Sequence, residues 1–316
     1  MGRALGANAK AVAVFETTPG TVPGSGAAWG KIPFVSHSLG EERGLLPSDL
    51  LGQGREMLDP VSDVANNDGD FVVPVDVRNF GKWLKLFMGA PATTGAAGAF
   101  THVFTSGGAA LPSMSIEIGA PEVPAFSVHR GVRGNQMRIP MQRSGLLNAT
   151  LSMIAIGETD PVAATVGAAS PTEMAVLRFP QAVGYVKKDG VALGSVVSAG
   201  LTFSNDLEKI ETIQPDGRIE DSDPGQAMMS GDIVVRFKDT LLLDAASTSP
   251  PTPVALEFGW ALGAYSLIFS LPRVFLPRPK RPITGPKGIQ ATFNWQGSGA
   301  LGHVLTATLS NDVTSY

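Results

Sequence analysis

The chain has no cysteine, so any chemistry in its 316 residues must come from carboxylates, histidines, hydroxyls and cations. The four histidines, His37, His102, His129 and His303, stand far apart. None has the His-x-x-x-His or Glu-x-x-His spacing that puts two metal ligands on one helical face. Gly297-Ser298-Gly299-Ala300-Leu301-Gly302 has the glycine spacing of a dinucleotide turn. A Thr-alternating stretch follows it where that motif needs a helix, and the chain stops short of the acidic residue required about 20 positions on. Asp221-Ser222-Asp223 and Asn66-Asn67-Asp68-Gly69-Asp70 lack the alternating oxygen ligands, glycine and closing acid of a calcium loop, and read as polar turns. No serine sits in a Gly-x-Ser-x-Gly elbow. The expectation is a protein that is not an enzyme and takes no cofactor or metal.

One charge pattern survives this screen. The stretch from Glu41 to Asp68 is acidic against Arg43 and Arg55, and the stretch from Asp206 to Asp232 is acidic against Lys209 and Arg218. Further on come Arg130, Arg133, Arg138 and Arg143 with no acid between them, and then Arg273, Arg278, Lys280, Arg281 and Lys287, again with none. A single charge run is ordinarily a solvated face. Recurrence at the same place in both halves points instead to an assembly surface. Its candidate residues are Glu41, Glu42, Leu50, Leu51, Asp59, Glu208, Glu211 and Asp221 on the acidic and apolar side. Arg130, Arg133, Arg278, Lys280 and Arg281 form the basic side.

The elements that hold these charges are written twice. Gly69-Asp70-Phe71-Val72-Val73 returns as Gly231-Asp232-Ile233-Val234-Val235, a turn-into-strand signal in each case. Ser38-Leu39-Gly40-Glu41-Glu42 aligns with Ser204-Asn205-Asp206-Leu207-Glu208, and Gly54-Arg55 with Gly217-Arg218. Downstream, Ser115-Ile116-Glu117-Ile118 matches Ala255-Leu256-Glu257-Phe258, and Arg138-Ile139-Pro140 matches Phe275-Leu276-Pro277. Gly145 to Leu151 likewise matches Gly288 to Phe293. The order predicts one unit duplicated: an N-terminal arm at 1–30, ordered only if something holds it, domains at 31–158 and 178–316, and a linker at 159–177.

Alternation at Met114, Ile116 and Ile118, at Leu147, Ala149 and Leu151, and at Ala291, Phe293 and Trp295 makes both units mainly β. Lys188-Asp189-Gly190 marks a tight hairpin. One clear helix is expected after Asn79 as N-cap, with Phe80, Trp83, Leu84 and Phe87 on a sheet-facing stripe and Lys82 and Lys85 opposite. A shorter one is expected within Asp239 to Ala246.

Hydrophobic residues make up 43% and charged residues 16%, enough apolar material for two cores and too little charge for a disordered chain. The net charge of −4 argues against a surface that grips nucleic acid throughout. Residues 1–20 lack the apolar core of a secretory signal. The longest uncharged apolar run, Phe258 to Leu271, is below the roughly 20 residues a membrane span needs. Together with the missing cysteines, this places folding in a reducing cytoplasm.

Glu16-Thr17-Thr18-Pro19-Gly20-Thr21-Val22-Pro23, then Ile32-Pro33-Phe34-Val35-Ser36-His37-Ser38-Leu39, the Gly-Asp strand and Leu86-Phe87-Met88-Gly89 together resemble the tail tube proteins of long-tailed bacteriophages. The resemblance implies tandem β-sandwich or barrel domains with short flanking helices, in a virion structural protein. Six such blocks make a ring in that family, so two blocks per chain imply homotrimeric rings stacked into a tube. It further implies tail terminator, tape measure and distal tail proteins as partners, DNA passing through the lumen without specific binding, and no membrane. Rival readings are another virion structural protein, capsid or tail accessory, and a carbohydrate- or receptor-binding β module, which would retain glycans instead of forming tubes.

Overall fold

Ala125–Gln142 forms a single strand of 18 residues that belongs to two sheets at once. The computed structural model describes residues 2–316 apart from 97, 168, 169, 282 and 284. In chain order the first half holds β1 (Lys10–Phe15), β2 (Gly30–Lys31), β3 (Ser36–His37), β4 (Gly40–Leu46) and β5 (Val61–Pro74). Helix α1 (Phe80–Met88) and strands β6 (Ala92–Ala96), β7 (Ala99–Thr105) and β8 (Met114–Ala120) follow. The long strand is β9, and β10 (Asn148–Ile154) and β11 (Gly157–Glu158) close the half.

The second half holds β12 (Tyr185–Lys188), β13 (Val191–Ala192), β14 (Val196–Ser204), β15 (Glu208–Ile210), β16 (Asp221–Asp223) and β17 (Met228–Arg236). Then come α2 (Leu241–Ala246), β18 (Val254–Leu262), β19 (Tyr265–Phe275), β20 (Gln290–Gly297) and β21 (Thr306–Asn311). The chain is mainly β, and all its ladders are antiparallel.

The same neighbour order occurs in each half. In the first it runs β2, β1, β8, β9, β10, β5 and then β3 with β4. In the second it runs β13, β12, β18, β19, β20, β17, β14. Register agrees too: Phe71 faces Leu151 and Val73 faces Ala149, as Ile233 faces Phe293 and Val235 faces Ala291. The halves are also stitched to each other. β9 pairs with β14 from Gln136 to Gln142, and β7 pairs with β21 from Phe100 to Thr105. One hydrophobic cluster runs through both halves, from Phe71 and Trp83 to Trp260 and Phe293.

Several local expectations change once register is known. Gly69 and Gly231 lie inside β5 and β17 and are not turns. A Cβ on Gly69 would stand 2.5 Å from the carbonyl oxygen of Ser38, and one on Gly231 would stand 2.0 Å from that of Gly200. Both glycines therefore exist to let the neighbouring strand come close. This makes Ser38 the counterpart of Gly200, since Ser38 donates its amide to the Asp70 carbonyl and Gly200 faces Asp232. The alignment of Ser38 with Ser204 is out by four residues because it matched polar side chains, whereas backbone pairing sets the register. Likewise Phe275 is the counterpart of Arg133, facing Gln296 as Arg133 faces Ile154, and not of Arg138.

Asn79 does not cap α1 with its side chain. The buried Asp76 carboxylate accepts the amides of Arg78 and Asn79 at 3.3 and 3.0 Å and satisfies the helix entry. Burial raises its pKa despite those bonds. Lys82 and Lys85 do not face open water: Lys82 Nζ lies against Gly30, and Lys85 Nζ sits 4.2 Å over the Phe15 ring. The N-terminal segment covers that side of the helix. β8 holds this segment through six paired residues, and Ala11 to Val14 are buried. Residues 159–167 and 170–177 lie along the first half, where the Glu117 carboxylate accepts from the amides of Val166 and Gly167 and from the Thr165 hydroxyl. The Lys188–Gly190 hairpin has Asp189 and Gly190 at φ 50° and 80°, as a tight primed turn requires.

Candidate assembly surfaces and channel face

The two acidic stretches fold onto each other. Arg218 donates to both oxygens of Glu41 at 2.7 and 3.0 Å and to the Glu158 carbonyl at 2.8 Å. Glu41 and Glu158 also exchange bonds, each carboxylate accepting the other residue's amide at 2.9 Å. Burial works against the Glu41 carboxylate, yet the Arg218 and Glu158 donors hold its pKa below the usual carboxylate range. Lys209 reaches Asp68 at 2.8 Å, and Arg43 donates to the Asp216 carbonyl at 3.0 Å. The early basic residues join the same network: Arg133 pairs with Asp221 at 2.8 Å, and Arg130 lies 3.7 Å from Asp216.

Beside this cluster His129 is buried, 3.2 Å from the Asn67 side chain. Desolvation lowers its pKa to about 4, against the pull of Glu158.

Four of the candidate residues, Glu41, Asp221, Arg130 and Arg133, thus find partners within their own chain. Glu42, Asp59, Glu208, Glu211, Arg278, Lys280 and Arg281 are exposed, as are Leu50 and Leu51 at 66% and 92%. Leu50 and Leu51 belong to a loop, 47–60, between β4 and β5, that also exposes Met57 at 77%. Arg281 lays its guanidinium 5.1 Å over the Phe237 ring at the other end of the molecule's sheet. Within the chain the early basic residues meet the acidic stretch, whereas among the described residues Arg278, Lys280 and Arg281 make no ion pair with it.

A surface that the charge pattern did not reveal is the open face of the shared sheet. One row across six strands reads Val72, Thr150, Arg138, Thr202, Ser230, Gln296. The next reads Pro140, Gly200, Asp232, Asn294. The row between them points inward and is apolar, with Val73, Ala149, Ile139, Leu201 and Trp295 all buried, and so does the row on the other side, with Phe71, Leu151, Met137, Phe203 and Met229. The open face is hydroxyl- and amide-rich, with Asp68, Asp70 and Asp232 against Arg138 and Arg236. Period-two alternation carried the signal, but such alternation marks any half-buried sheet.

Among the described residues no group of three or more His, Asp or Glu could hold a metal ion. No described helix is long and apolar enough to cross a membrane. A family model described as phage tail tube protein matches residues 6–297, nearly the whole chain, and no curated protein matches it. The chain belongs to the phage tail tube protein family.

Proposed function

We propose that this tail tube protein, a structural component of the phage virion, closes as three copies into a ring of six pseudo-equivalent blocks, each chain supplying two. The observation that supports this reading is the doubled strand order with the same register in β5–β10 and β17–β20. A duplicated unit that leaves sheet ends unpaired can close on itself only by meeting further copies, and closure removes the edges.

The polar sheet face lines the conduit. Phosphates bind where Lys and Arg form a continuous track, and this face intersperses Asp68, Asp70 and Asp232 with Arg138 and Arg236 among Ser, Thr, Asn and Gln. DNA then slides during ejection without being gripped. Rings stack through the exposed loop with Leu50, Leu51 and Met57, and the exposed acids Asp59, Glu208 and Glu211 set polarity. Individually such exposed charges contribute only about 0–1 kcal/mol, so the leucines supply more of the adhesion. The tube's ends require terminator, tape measure and distal tail proteins. Averaged end-on electron micrographs of the concentrated protein test the ring: three chains of 32.9 kDa per ring are expected, and six would refute it.

A further inference from the structure

We infer that the segment Arg278–Arg281 becomes a strand on assembly and pairs with β3–β4 of a second copy of this chain, an inference that rests on the ring reading. The template lies inside the chain. The second half of β9 is sandwiched between β10 and β14, with Arg138 facing Thr150 on one side and Thr202 on the other. In the other half, register makes Phe275 the counterpart of Arg133. Arg278 to Arg281 therefore occupy the place of Gln136 to Ile139. Among the described residues they form no ladder, and β20 from Gln290 to Trp295 pairs only with β17.

The complementary vacancy lies at the other end of the same sheet. β14 has β17 on one side and β9 on the other. Its counterpart, β3 with β4, has β5 on one side and no strand on the other among the described residues. Each chain thus ends in one unfilled edge and one unpaired segment, related as β14 is to β9. Such a head-to-tail contact generates a ring when its rotation closes.

Charge selects one register of the pairing. Copying the register of Ser204 with Gln136 and Thr202 with Arg138 sets Glu42 opposite Arg278 and Gly40 opposite Lys280. Arg281 falls opposite Leu39 on the inward row, in the place of the buried Ile139, where Glu41 on the diagonal is its counter-charge. Pro279, opposite Glu41, has no N–H to donate, and the Glu41 amide is already held by the Glu158 carboxylate. That pair therefore supplies no amide to the ladder, which rests on Leu39 with Arg281. Opposite charges directly across strands favour this register, and the like-charged alternatives, acid on acid or base on base, are disfavoured.

The absence of cysteine makes the register testable by cross-linking. Gly40→Cys combined with Lys280→Cys places two thiols at directly facing positions, within disulfide reach. Oxidised tubes of this variant should give covalent dimers and trimers in denaturing gels, with the series stopping at three, while each single variant gives monomers. The diagonal pair Glu42→Cys with Lys280→Cys should cross-link far less. A series running past three would put the contact between rings, and monomers from intact tubes would leave the ring standing but remove this junction; either overturns the inference. If end-on views show no ring of three chains, the ring reading itself fails. Should the double variant not assemble, hydrogen exchange on wild-type protein decides. The Arg281 amide, which the copied register aims at Leu39, should exchange orders of magnitude more slowly in tubes than in the unassembled chain, and unchanged rapid exchange would overturn the pairing.

Discussion

Arg218 holds Glu41 through two hydrogen bonds, at 2.7 and 3.0 Å, tying the acidic stretch of one half of the chain to that of the other. Both side chains are mostly shielded, at 19% and 11% exposure. Arg218→Ala leaves Glu41 facing only the Glu158 amide and Arg43, and should cost about 1.5–3 kcal/mol, the range for hydrogen bonds to charged groups. Because the Glu41 pKa is depressed in the folded state, its contribution is complete above the unfolded glutamate pKa and is lost as pH falls through the folded one. Urea midpoints from about pH 5 down to about pH 3 should show a slope that Arg218→Ala reduces.

His129 gives a second pH dependence with a different window. Its folded pKa of about 4 lies below the ordinary 6.5, so the unfolded chain binds the proton first. Stability is fully present above about pH 6.5 and falls as pH drops toward 4, by up to about 3 kcal/mol. His129→Gln should remove most of that slope while keeping a polar group near Asn67. An unaltered slope in the variant would assign the effect to other groups.

The paired glycines predict a contrast in stability. Gly231→Ala would drive a methyl to 2.0 Å from the Gly200 carbonyl and 2.5 Å from the Trp295 ring, and Gly69→Ala to 2.5 Å from the Ser38 carbonyl. Each should destabilise by about 1–3 kcal/mol through overpacking and strand separation. Gly194→Ala, where nothing lies within 4 Å, should stay within about 0.5 kcal/mol of the parent. Equal denaturation midpoints for all three would mean the strands can part at little cost.

How much of this was legible in the sequence depends on what carried each signal. The Gly-Asp repeat and the alternation at Leu147–Leu151 and Ala291–Trp295 announced strands correctly, because side-chain period fixes the face of a strand. The alignment of Ser38 with Ser204 failed because side-chain likeness does not report which carbonyl lies beside which glycine. Asn79 looked like a cap because its type suits one, yet Asp76, three residues earlier, reaches the amides first. Lys82 and Lys85 looked solvated because helical spacing cannot anticipate a covering segment from residues 15–30. The partners of Glu41 and Arg133, Arg218 and Asp221, lie in the second half of the chain, beyond any local pattern. The polar sheet face left no mark of its own, since Ser, Thr and Gln alternate with apolar residues on every half-solvated sheet.

The exposed loop between β4 and β5 separates assembly from stability. Leu51 is 92% exposed and Leu50 66%, so replacing both by Ser should shift the unfolding midpoint by no more than about 0.5 kcal/mol each. If stacked rings bury these side chains, each loses up to about 1.5–3 kcal/mol of transfer free energy in the variant, repeated around the ring. Sedimentation should then show free rings or short tubes at concentrations where the parent forms long ones. Tubes of parental length from the Ser variant would remove the loop from the stacking interface.

The polar face offers the sharpest test of the conduit. Thr150 and Thr202 flank Arg138 in one row of the shared sheet, and both are partly exposed. Thr150→Lys with Thr202→Lys turns that row into three adjacent cations per chain. Each phosphate neutralised on duplex DNA steepens the dependence of log K on log salt by about 0.9, so the variant tubes should bind linear duplex at low salt with a markedly steeper slope than the parent. The location of the bound DNA separates inside from outside. Duplex held within the lumen should resist nuclease along a length that matches the tube, whereas duplex on the outer wall should be digested. Parental tubes should protect little DNA under the same conditions. Lysine tubes that bind duplex but leave it open to nuclease would place this face on the outer wall, and the row Val72, Thr150, Arg138, Thr202, Ser230, Gln296 would then not be the lining of the channel.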